Sequence, residues 1–289
     1  MDVGCQRDVA VEMERAANTI GANFVVNTGD SFYDGGILTV NDQQIKTSFL
    51  NVYNQTILKG LQFFSVLGNH EYRGSVTAVL QIPLNYKRFT MDSRYYARVV
   101  QTAGVTVQLL FIDTSPMIYS YRIPGYDSPT DIILKRKDGL QSQWGQLGNQ
   151  LAWLQGRLQN NRYEFDMRIV IGHHPIYDLS SHIGENRTFL QAYVAPLLEQ
   201  YNVTAYFSGH DHNMQMVAPD ETVHFVSGAG SKVTPGYATA DTPSSAVQFY
   251  YVEQGFLACT IYNGELRVAV IDSQGNLIDN VIVKNRSSR

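Results

Sequence analysis

The sequence predicts an α/β protein with a mostly parallel sheet that is covered by helices. Three observations support this prediction: short apolar runs rich in β-branched residues recur, helical apolar periods lie between several of them, and 44% of the 289 residues are hydrophobic. Strands that alternate with helices are typical of βαβ units. A chain of this length can bury a large core, so we expect one compact domain over residues 1–289.

Six apolar runs have the length and composition of buried strands. In chain order they are residues 23–28, 63–67, 105–113, 168–172, 203–208 and 224–228. Four apolar stripes at helical spacing accompany them. The stripes are Val9, Met13, Ala17 and Ile20; Ile45, Phe49 and Val52; Leu151, Leu154 and Leu158; and Leu190, Val194 and Leu197. We expect each stripe to face the core, with Asp8 as the cap of the first helix.

The pattern changes in two regions of the chain. After residue 222, two strand-like runs are separated by Asn263-Gly264, which predicts a hairpin and an antiparallel carboxyl-terminal part. Residues 117–146 are rich in Tyr, Pro, Gly, Asp and Lys and have no clear period. We expect them to form a long surface loop of the kind that shapes the mouth of a site.

Composition limits the partners of the chain. A net charge of −4 with 17% charged residues and no Lys/Arg-rich run argues against nucleic acid or an anionic membrane as the main partner. No stretch approaches the roughly 18 apolar residues of a membrane span, and the chain as given has no secretory signal. Two cysteines are too few for a disulfide framework. Four Asn-x-Ser/Thr sequences, which suit a secreted glycoprotein as well as chance, begin at Asn54, Asn186, Asn202 and Asn285.

Side chains that can bind metal follow four of the predicted strands. The segments are GDSFY (29–33), GNHEY (68–72), GHHP (172–175) and GHDH (209–212). The carboxyl ends of strands in an open α/β sheet gather at one edge, where ligands bind. Each segment begins with glycine, which permits a sharp exit from the strand and close approach of the backbone to a bound group. We therefore expect the four segments to form one site.

The residue types select the chemistry of that site. Six of the seven histidines lie in or near these turns: His70, His173, His174, His182, His210 and His212. Asp30, Asn69 and imidazoles suit iron, zinc or manganese, and no cysteine is placed to supply a thiolate. The number of donors suits two ions bridged by a carboxylate such as Asp30, about 3.5 Å apart, which is the arrangement used for in-line attack at phosphorus. The sequence therefore predicts phosphoester hydrolysis.

In this order, the four segments resemble those of the calcineurin-like metallophosphoesterases and, within them, the purple acid phosphatases. Tyr33, three residues after Asp30, matches the GDxxY of that subfamily, whereas most relatives have an acidic residue there. The resemblance is to the small, tartrate-resistant type and covers nearly the whole chain, through FIDTSP (111–116), SGAGSK (227–232) and EQGF (253–256). It implies a four-layer α/β/β/α sandwich with two mixed β-sheets.

The resemblance also implies an activity and a metal-ligand set. Asp30 would bridge the ions, Tyr33 and His212 would bind Fe(III), and a divalent zinc, iron or manganese ion would be bound by Asn69, His173 and His210. The chain would be an acid phosphatase in which a metal-bound hydroxide attacks phosphate monoesters, phosphoproteins among the candidates. Members of the family are typically secreted, vacuolar or lysosomal.

The amino terminus departs from the family pattern. The family's first ligand is an aspartate in a D-x-G motif that ends the first strand, and the candidate here is Asp2 of DVG (2–4). The strand that should precede Asp2 is missing, so the first strand is expected to be truncated. Its absence would expose the backbone groups of neighbouring strand edges.

Several neighbours of the ligands are candidates for substrate contact. His70 and His182 are the candidate catalytic residues, which would orient the phosphate and protonate the leaving alkoxide. Asn69 is a further candidate for substrate binding, and His174 either touches the substrate at the rim or fills its turn. We expect strand alternation to send His210 and His212 to the same side, and Asp211 to hold the turn.

Two other functions remain open from the sequence. One is an iron-independent metallophosphodiesterase or nucleotidase that uses two divalent ions. The other is a non-catalytic homologue that lacks the first metal ligand and binds phosphate or a protein.

Overall fold

The structure is a computed structural model that describes residues 3–102, 104–122, 140–159, 165–182, 185–236, 242 and 244–286. The α-helices are α1 (Val3–Ile20), α2 (Asn69–Arg73), α3 (Val76–Asn85), α4 (Leu140–Trp144), α5 (Leu147–Gln159) and α6 (Ala195–Gln200). Two π-helical segments span Ile45–Leu50 and Leu190–Val194. Short 3₁₀ helices span Leu58–Gly60, Ser115–Met117, Tyr119–Arg122 and Ser244–Ala246.

Thirteen strands are described. They are β1 (Phe24–Asn27), β2 (Gln62–Ser65), β3 (Phe89–Thr90), β4 (Tyr96–Thr102), β5 (Val105–Phe111), β6 (Met167–Ile171), β7 (Ala205–Ser208), β8 (Met214–Val217), β9 (Val223–Ser227), β10 (Val247–Tyr251), β11 (Gly255–Tyr262), β12 (Glu265–Asp272) and β13 (Leu277–Lys284). Each of the six predicted strands is present, with its ends moved by a few residues.

The largest sheet has seven strands in the order β10-β8-β9-β7-β6-β5-β4. Strands β5, β6, β7 and β9 are parallel to one another, while β4, β8 and β10 pair in the antiparallel sense. Every residue of β6 is buried, as expected for a central strand covered on both faces. The antiparallel region was expected to begin after residue 222, but β9 still pairs in parallel with β7.

Two smaller sheets pack against the large one. Strands β1, β2 and β3 form a parallel sheet, and β11, β12 and β13 form an antiparallel sheet. Phe64 of β2 contacts Phe111 of β5 with ring centroids 6.0 Å apart, and Leu266 of β12 is buried in the same core. Helix α1 packs on β11 and β12, and Gln108 of β5 donates to the Arg157 carbonyl of α5.

The predicted helix, sheet, sheet, helix layering is therefore confirmed. The structure differs from the expectation in one respect. In place of a single second sheet it has two separate three-stranded sheets, β1-β2-β3 and β11-β12-β13. The hairpin prediction is also confirmed: Asn263 and Gly264 both have positive φ, 51° and 74°, as a two-residue turn between twisted strands requires.

Three local expectations are wrong. Helix α1 begins at Val3, so Asp8 lies inside the helix and does not cap it. The start of the expected surface loop is in the core, because the apolar side chains of Met117 and Ile118 pack there with no exposed surface. Residues 123–139 lie outside the described residues, and for them the loop stays a prediction.

Asn285 is buried and its amide contacts Thr204, so the fold leaves no room for a glycan there.

No helix in the described part of the chain is long and apolar enough to cross a membrane. Among the other glycan candidates, Asn54 and Asn186 are exposed and Asn202 is half-buried.

His224 on β9 is a buried histidine that lies apart from the predicted site. Its ring lies between Tyr177 and Tyr206, with centroid distances of 5.0 and 5.7 Å, and its Nδ1 atom has no hydrogen-bond partner. Burial lowers the pKa of His224 to about 3. The folded chain therefore keeps this ring neutral at pH values where the unfolded chain, with a pKa of about 6.5, protonates it.

We predict that His224→Phe makes the protein less sensitive to acid. Because the folded pKa is depressed, the stability contribution is complete above about pH 6.5 and is lost as the pH falls toward 3. The variant should lose about 3 kcal/mol less stability than the wild type between pH 7 and pH 4, measured by urea unfolding at both pH values. Equal losses in the two proteins would show that His224 does not carry this pH dependence.

Candidate metal centre

The four glycine-led segments meet at one place between the two main sheets. Asp30 and Asn69 follow the parallel strands β1 and β2, while His173 and His210 follow the parallel strands β6 and β7. The carboxyl ends of both parallel pairs point to the same site, as expected for ligand binding at the ends of strands.

His173 is at the centre of one group of donors. Its Nε2 atom lies 3.1 Å from Asn69 Oδ1, 3.1 Å from Asp30 Oδ2 and 3.2 Å from His210 Nδ1. All four side chains are buried. One amide oxygen, one carboxylate oxygen and one imidazole nitrogen thus surround the Nε2 atom of His173.

Tyr33 and His212 form a second group on the same carboxylate. The Tyr33 hydroxyl donates to Asp30 Oδ2 over 3.1 Å and lies 3.4 Å from His212 Nε2. The six donor side chains therefore divide into two groups that share Asp30. Asp2, the seventh predicted ligand, lies outside the described residues.

Backbone conformation brings the turns this close. A Cβ atom on Gly29, which has φ of 97°, would lie 2.6 Å from His173 Nδ1, and a Cβ on Gly68 would overlap the Asp30 carboxylate. Asp30 and His210 themselves have positive φ, 54° and 67°, which is uncommon for residues with a side chain and typical of functional sites. Strand β7 ends at Ser208, so His210 and His212 lie in the turn that follows it. The turn, and not strand alternation, positions these two histidines, so the expectation of alternation is wrong.

Glu71 holds the turn that carries Asp30. Its carboxylate is fully buried and accepts from the backbone N–H groups of Gly68, Asp30 and Ser31 at 2.7, 3.0 and 2.7 Å. Burial, reinforced by the Asp30 charge, raises the pKa of Glu71 to about 7. The sequence analysis missed this role, although Glu71 lies two residues after Asn69 in GNHEY.

A shared proton compensates the buried charge at the centre. Burial alone would raise the pKa of Asp30, but the neighbouring His173, His70 and His210 hold it well below its usual range. Burial alone would lower the pKa of His173, but the Asp30 carboxylate raises it to about 9. A metal ion bound here would replace this proton, because ligand atoms must be deprotonated.

The remaining donors differ in their protonation. Burial lowers the pKa of His212 to about 4 and that of His210 well below its usual range, so both rings are neutral near pH 6. Burial and the Asp30 charge raise the pKa of Tyr33 well above 10. A cation must displace the phenol proton before Tyr33 can bind it as tyrosinate.

Glu185 orients the His210 ring. Its Oε1 atom accepts from His210 Nε2 over 3.1 Å, which leaves the Nδ1 lone pair facing the site. The same oxygen accepts from the Tyr121 hydroxyl over 3.0 Å, and Arg187 lies 3.5 Å from Oε2. The sequence analysis missed Glu185, which stands three residues after His182 and has no motif of its own.

His174 is fully buried, so its expected position at the rim is wrong. Its Nδ1 atom lies 2.8 Å from the Thr114 hydroxyl and its Nε2 atom 2.9 Å from the Tyr121 hydroxyl. The Thr114 hydroxyl accepts from two backbone N–H groups and therefore donates to Nδ1. With both nitrogens bonded inside the protein, His174 fills the turn, which was the other sequence-based alternative.

His70 lies at the edge of the centre, against Tyr33. Its ring centroid is 4.1 Å from that of Tyr33, and its Nδ1 atom donates to the Asp34 carbonyl over 2.6 Å. Its Nε2 atom lies 4.0 Å from Asp30 Oδ2. The ring is therefore fixed with Nε2 toward the donor cluster.

His182 has the more accessible ring, with 37% of its side chain exposed. The ring stacks on His210 at a centroid distance of 3.9 Å, and Nδ1 donates to Asp211 Oδ1 over 2.8 Å. Asp211 is fully buried and also accepts from the Ser181 N–H over 2.9 Å, so it holds the turn, as expected. Burial alone would lower the pKa of His182, but Asp211 raises it.

The donor set suits metal ions. It combines a carboxylate, an amide oxygen, a phenol and three imidazoles, which match iron, zinc or manganese. Backbone carbonyls and carboxylates bind the outer ring nitrogens, as is usual for metal-binding histidines: His173 Nδ1 donates to the Thr28 carbonyl over 2.7 Å. The residues therefore fit the metals that the sequence predicts.

Comparison with known proteins agrees with this geometry. Residues 2–214 match the family model described as calcineurin-like phosphoesterase. The chain belongs to this family.

Within the family, the chain groups with the purple acid phosphatases. It is 34% identical to purple acid phosphatase 4 of Arabidopsis thaliana over 276 residues, covering 94% of this chain and 76% of that protein. It is 28% identical over 278 residues to tartrate-resistant acid phosphatase type 5 of Homo sapiens, covering 92% and 80% of the two chains.

Solved structures support the same fold. GAP50, described as the anchor in the inner membrane complex of Plasmodium, has a TM-score of 0.79 at 23% identity and covers 99% of this chain and 86% of its own. Purple acid phosphatase PPD1 from yellow lupin seeds has a TM-score of 0.63 at 14% identity, covering 96% of this chain and 49% of that one.

We predict that Asp30→Asn lowers the metal content of the protein. The amide oxygen of the variant can still accept from the His70 N–H, which lies 2.9 Å from Asp30 Oδ1 in the wild type. The substitution removes the negative charge that both donor groups share. Elemental analysis after incubation with iron and zinc should find about half the wild-type metal or less. Asp220→Asn, at an exposed site, is the matched control and should keep the wild-type content. Equal metal in Asp30→Asn and wild type would contradict a shared carboxylate.

Proposed function

We propose that the protein is an acid phosphatase that hydrolyses phosphate monoesters at a binuclear centre of Fe(III) and a divalent ion. One observation carries this proposal: six donor side chains form two groups that share the Asp30 carboxylate. A shared carboxylate between two donor groups is what a two-metal phosphoesterase requires.

The proposed ligands follow this division. Tyr33 and His212 would hold the ferric ion, and Asp30 would contribute to both sites. Asn69, His173 and His210 would hold the divalent ion, which would be zinc, iron or manganese. Asp2 is a further proposed ferric ligand. When bound, the two ions polarise the phosphate oxygens and offset their negative charge.

His182 is proposed as the group that protonates the leaving alkoxide. Asp211 accepts from Nδ1, which leaves Nε2 as the nitrogen that can donate toward the substrate. Because Asp211 raises the pKa of His182, more of the ring is protonated at mildly acidic pH than in an ordinary histidine. The proton that His182 loses is replaced from solvent, to which the ring is partly open.

His70 and Asn69 are proposed to orient the phosphate group. The bond from His70 Nδ1 to the Asp34 carbonyl fixes the ring, and its Nε2 atom is available to the substrate.

At acidic pH the depressed pKa of Asp30 keeps that carboxylate ionised. The centre can thus hold its cations under the conditions in which His182 is charged.

Small phosphate monoesters are the proposed substrates, and phosphoproteins are a second class that an open site would admit. A secreted, vacuolar or lysosomal location is proposed from the relatives. N-glycans are proposed at Asn54 and Asn186, which are exposed, and at Asn202, which is half-buried.

The direct test is hydrolysis of p-nitrophenyl phosphate at acidic pH by metal-replete protein. We expect turnover, and we expect Asn69→Ala to reduce it by about a hundredfold, because the variant removes both a metal ligand and a phosphate contact. Asn41→Ala, at an exposed position, is the control and should match the wild type. Absence of turnover, or equal activity of Asn69→Ala and wild type, would refute the proposal.

Colour distinguishes the iron enzyme from an iron-independent metallophosphodiesterase or nucleotidase. Tyrosinate bound to Fe(III) absorbs visible light, so the metal-replete protein should be coloured and Tyr33→Phe should lose the band. Tyr193→Phe, which alters an exposed tyrosine, should keep it. A colourless but active protein would favour two divalent ions, and a protein with one ion or fewer per chain would favour the non-catalytic alternative.

A further inference from the structure

A buried arginine lies behind the turn that carries His182. Arg187 is only 8% exposed, and its guanidinium contacts three side chains on both sides of that turn. It donates to Asp178 Oδ1 and, over 2.6 Å, to Ser180 Oγ, and its Nε atom lies 3.5 Å from Glu185 Oε2. The planar fork of a guanidinium holds several acceptors at fixed positions at once. Arg187 therefore fixes residues that come before and after His182 in the chain.

One set of contacts leads from Arg187 to the backbone of His182. The buried Ser180 hydroxyl accepts from the guanidinium over 2.6 Å and from the His182 N–H over 3.0 Å. A single oxygen atom thus lies between the guanidinium and the peptide group of His182. Without the guanidinium, the Ser180 side chain would be free to turn to another rotamer and to release that N–H.

A second set of contacts leads from Arg187 to the ring of His182. Asp178 accepts from Arg187, and the side chains of Asp178 and Asp211 are hydrogen-bonded to each other. Burial and the Asp211 charge raise the pKa of Asp178 well above its usual range, so Asp178 is the donor in that bond. Asp211 in turn accepts from His182 Nδ1 over 2.8 Å. The guanidinium therefore supports both the backbone and the ring of His182.

The same turn has another anchor that does not involve Arg187. The side chain of Gln215, buried on β8, pairs with both backbone groups of Leu179. Its Oε1 atom accepts from the Leu179 N–H over 2.6 Å, and its Nε2 atom donates to the Leu179 carbonyl over 3.0 Å. Replacement of Arg187 should therefore leave the backbone at Leu179 in place while it loosens His182.

We propose that Arg187 is a positioning residue, which aims the His182 ring at the leaving group by fixing Ser180 and Asp178. It acts through these two side chains and does not touch the substrate. The inference rests on the proposed function, because it concerns the proton that His182 gives to the leaving alkoxide. It predicts a selective defect, in which substrates that need this proton are hydrolysed slowly and substrates that do not need it are spared.

The test compares two substrates of the metal-replete protein. The leaving group of glycerol 2-phosphate is a strongly basic alkoxide that must be protonated, whereas that of p-nitrophenyl phosphate is a stable phenolate. We expect Arg187→Met to lower kcat for glycerol 2-phosphate about a hundredfold and kcat for p-nitrophenyl phosphate about threefold or less. KM should change little for either substrate. Elemental analysis should find the wild-type metal content, because Glu185 keeps its direct bond to His210.

Arg88→Met is the matched control for the loss of an arginine. Arg88 donates to the backbone carbonyls of Leu50, Tyr53 and Leu58. The loss of these bonds should lower the melting temperature but should change activity on the two substrates by the same factor. Arg187→Lys keeps a positive charge without the planar fork and should stay defective toward glycerol 2-phosphate alone.

A second variant tests the same role with less disturbance of the core. Ser180→Ala keeps the guanidinium and removes only the hydroxyl between Arg187 and the His182 N–H. It should lower kcat for glycerol 2-phosphate about tenfold and leave p-nitrophenyl phosphate hydrolysis near the wild-type rate. If Arg187→Met does not fold, this variant decides alone.

Three results would overturn the role of Arg187: equal losses on the two substrates, full activity of Arg187→Lys, or loss of metal from Arg187→Met. The proposed function would survive each of them, because the wild type would still hydrolyse both substrates. Absence of turnover by the wild type would instead refute the proposed function, and the role of Arg187 with it.

Discussion

The buried Asp30 carboxylate is the group on which the rest of the site depends. A buried charge is costly unless it is paired and hydrogen-bonded. Here Oδ1 accepts from the His70 N–H, Oδ2 contacts His173 and Tyr33, and Glu71 holds the Asp30 backbone. These contacts come from strands of two sheets, so the carboxylate is satisfied only when both sheets are in place. The site therefore forms only in the complete fold.

Much of this arrangement could be predicted from the sequence, because it depends on local patterns. Apolar runs predicted the strands, and glycine followed by polar residues predicted that Asp30, Asn69, His173 and His210 would meet. Glu71 and Glu185 were missed because they act on partners that are distant in sequence. An isolated glutamate in a loop has no period or spacing that indicates such a partner.

The wrong predictions have a common physical origin, since each extended a local rule into a place where tertiary structure decides. His174 follows His173 in the same turn, but the hydroxyl groups of Thr114 and Tyr121 bind its ring inside the protein. Asn285 belongs to a glycosylation sequence, yet it is buried. The divided second sheet is a similar case, because strand pairing over long distances cannot be read from composition.

Hydrogen bonds connect Tyr121 through Glu185 to His210. Its hydroxyl binds both His174 Nε2 and Glu185 Oε1, and Glu185 in turn binds His210. Two hydrogen bonds therefore separate Tyr121 from a proposed ligand of the divalent ion. Arg122 is the last described residue before 123–139. A displacement of Tyr121 would therefore change the orientation of the His210 ring through Glu185, without any contact with the substrate.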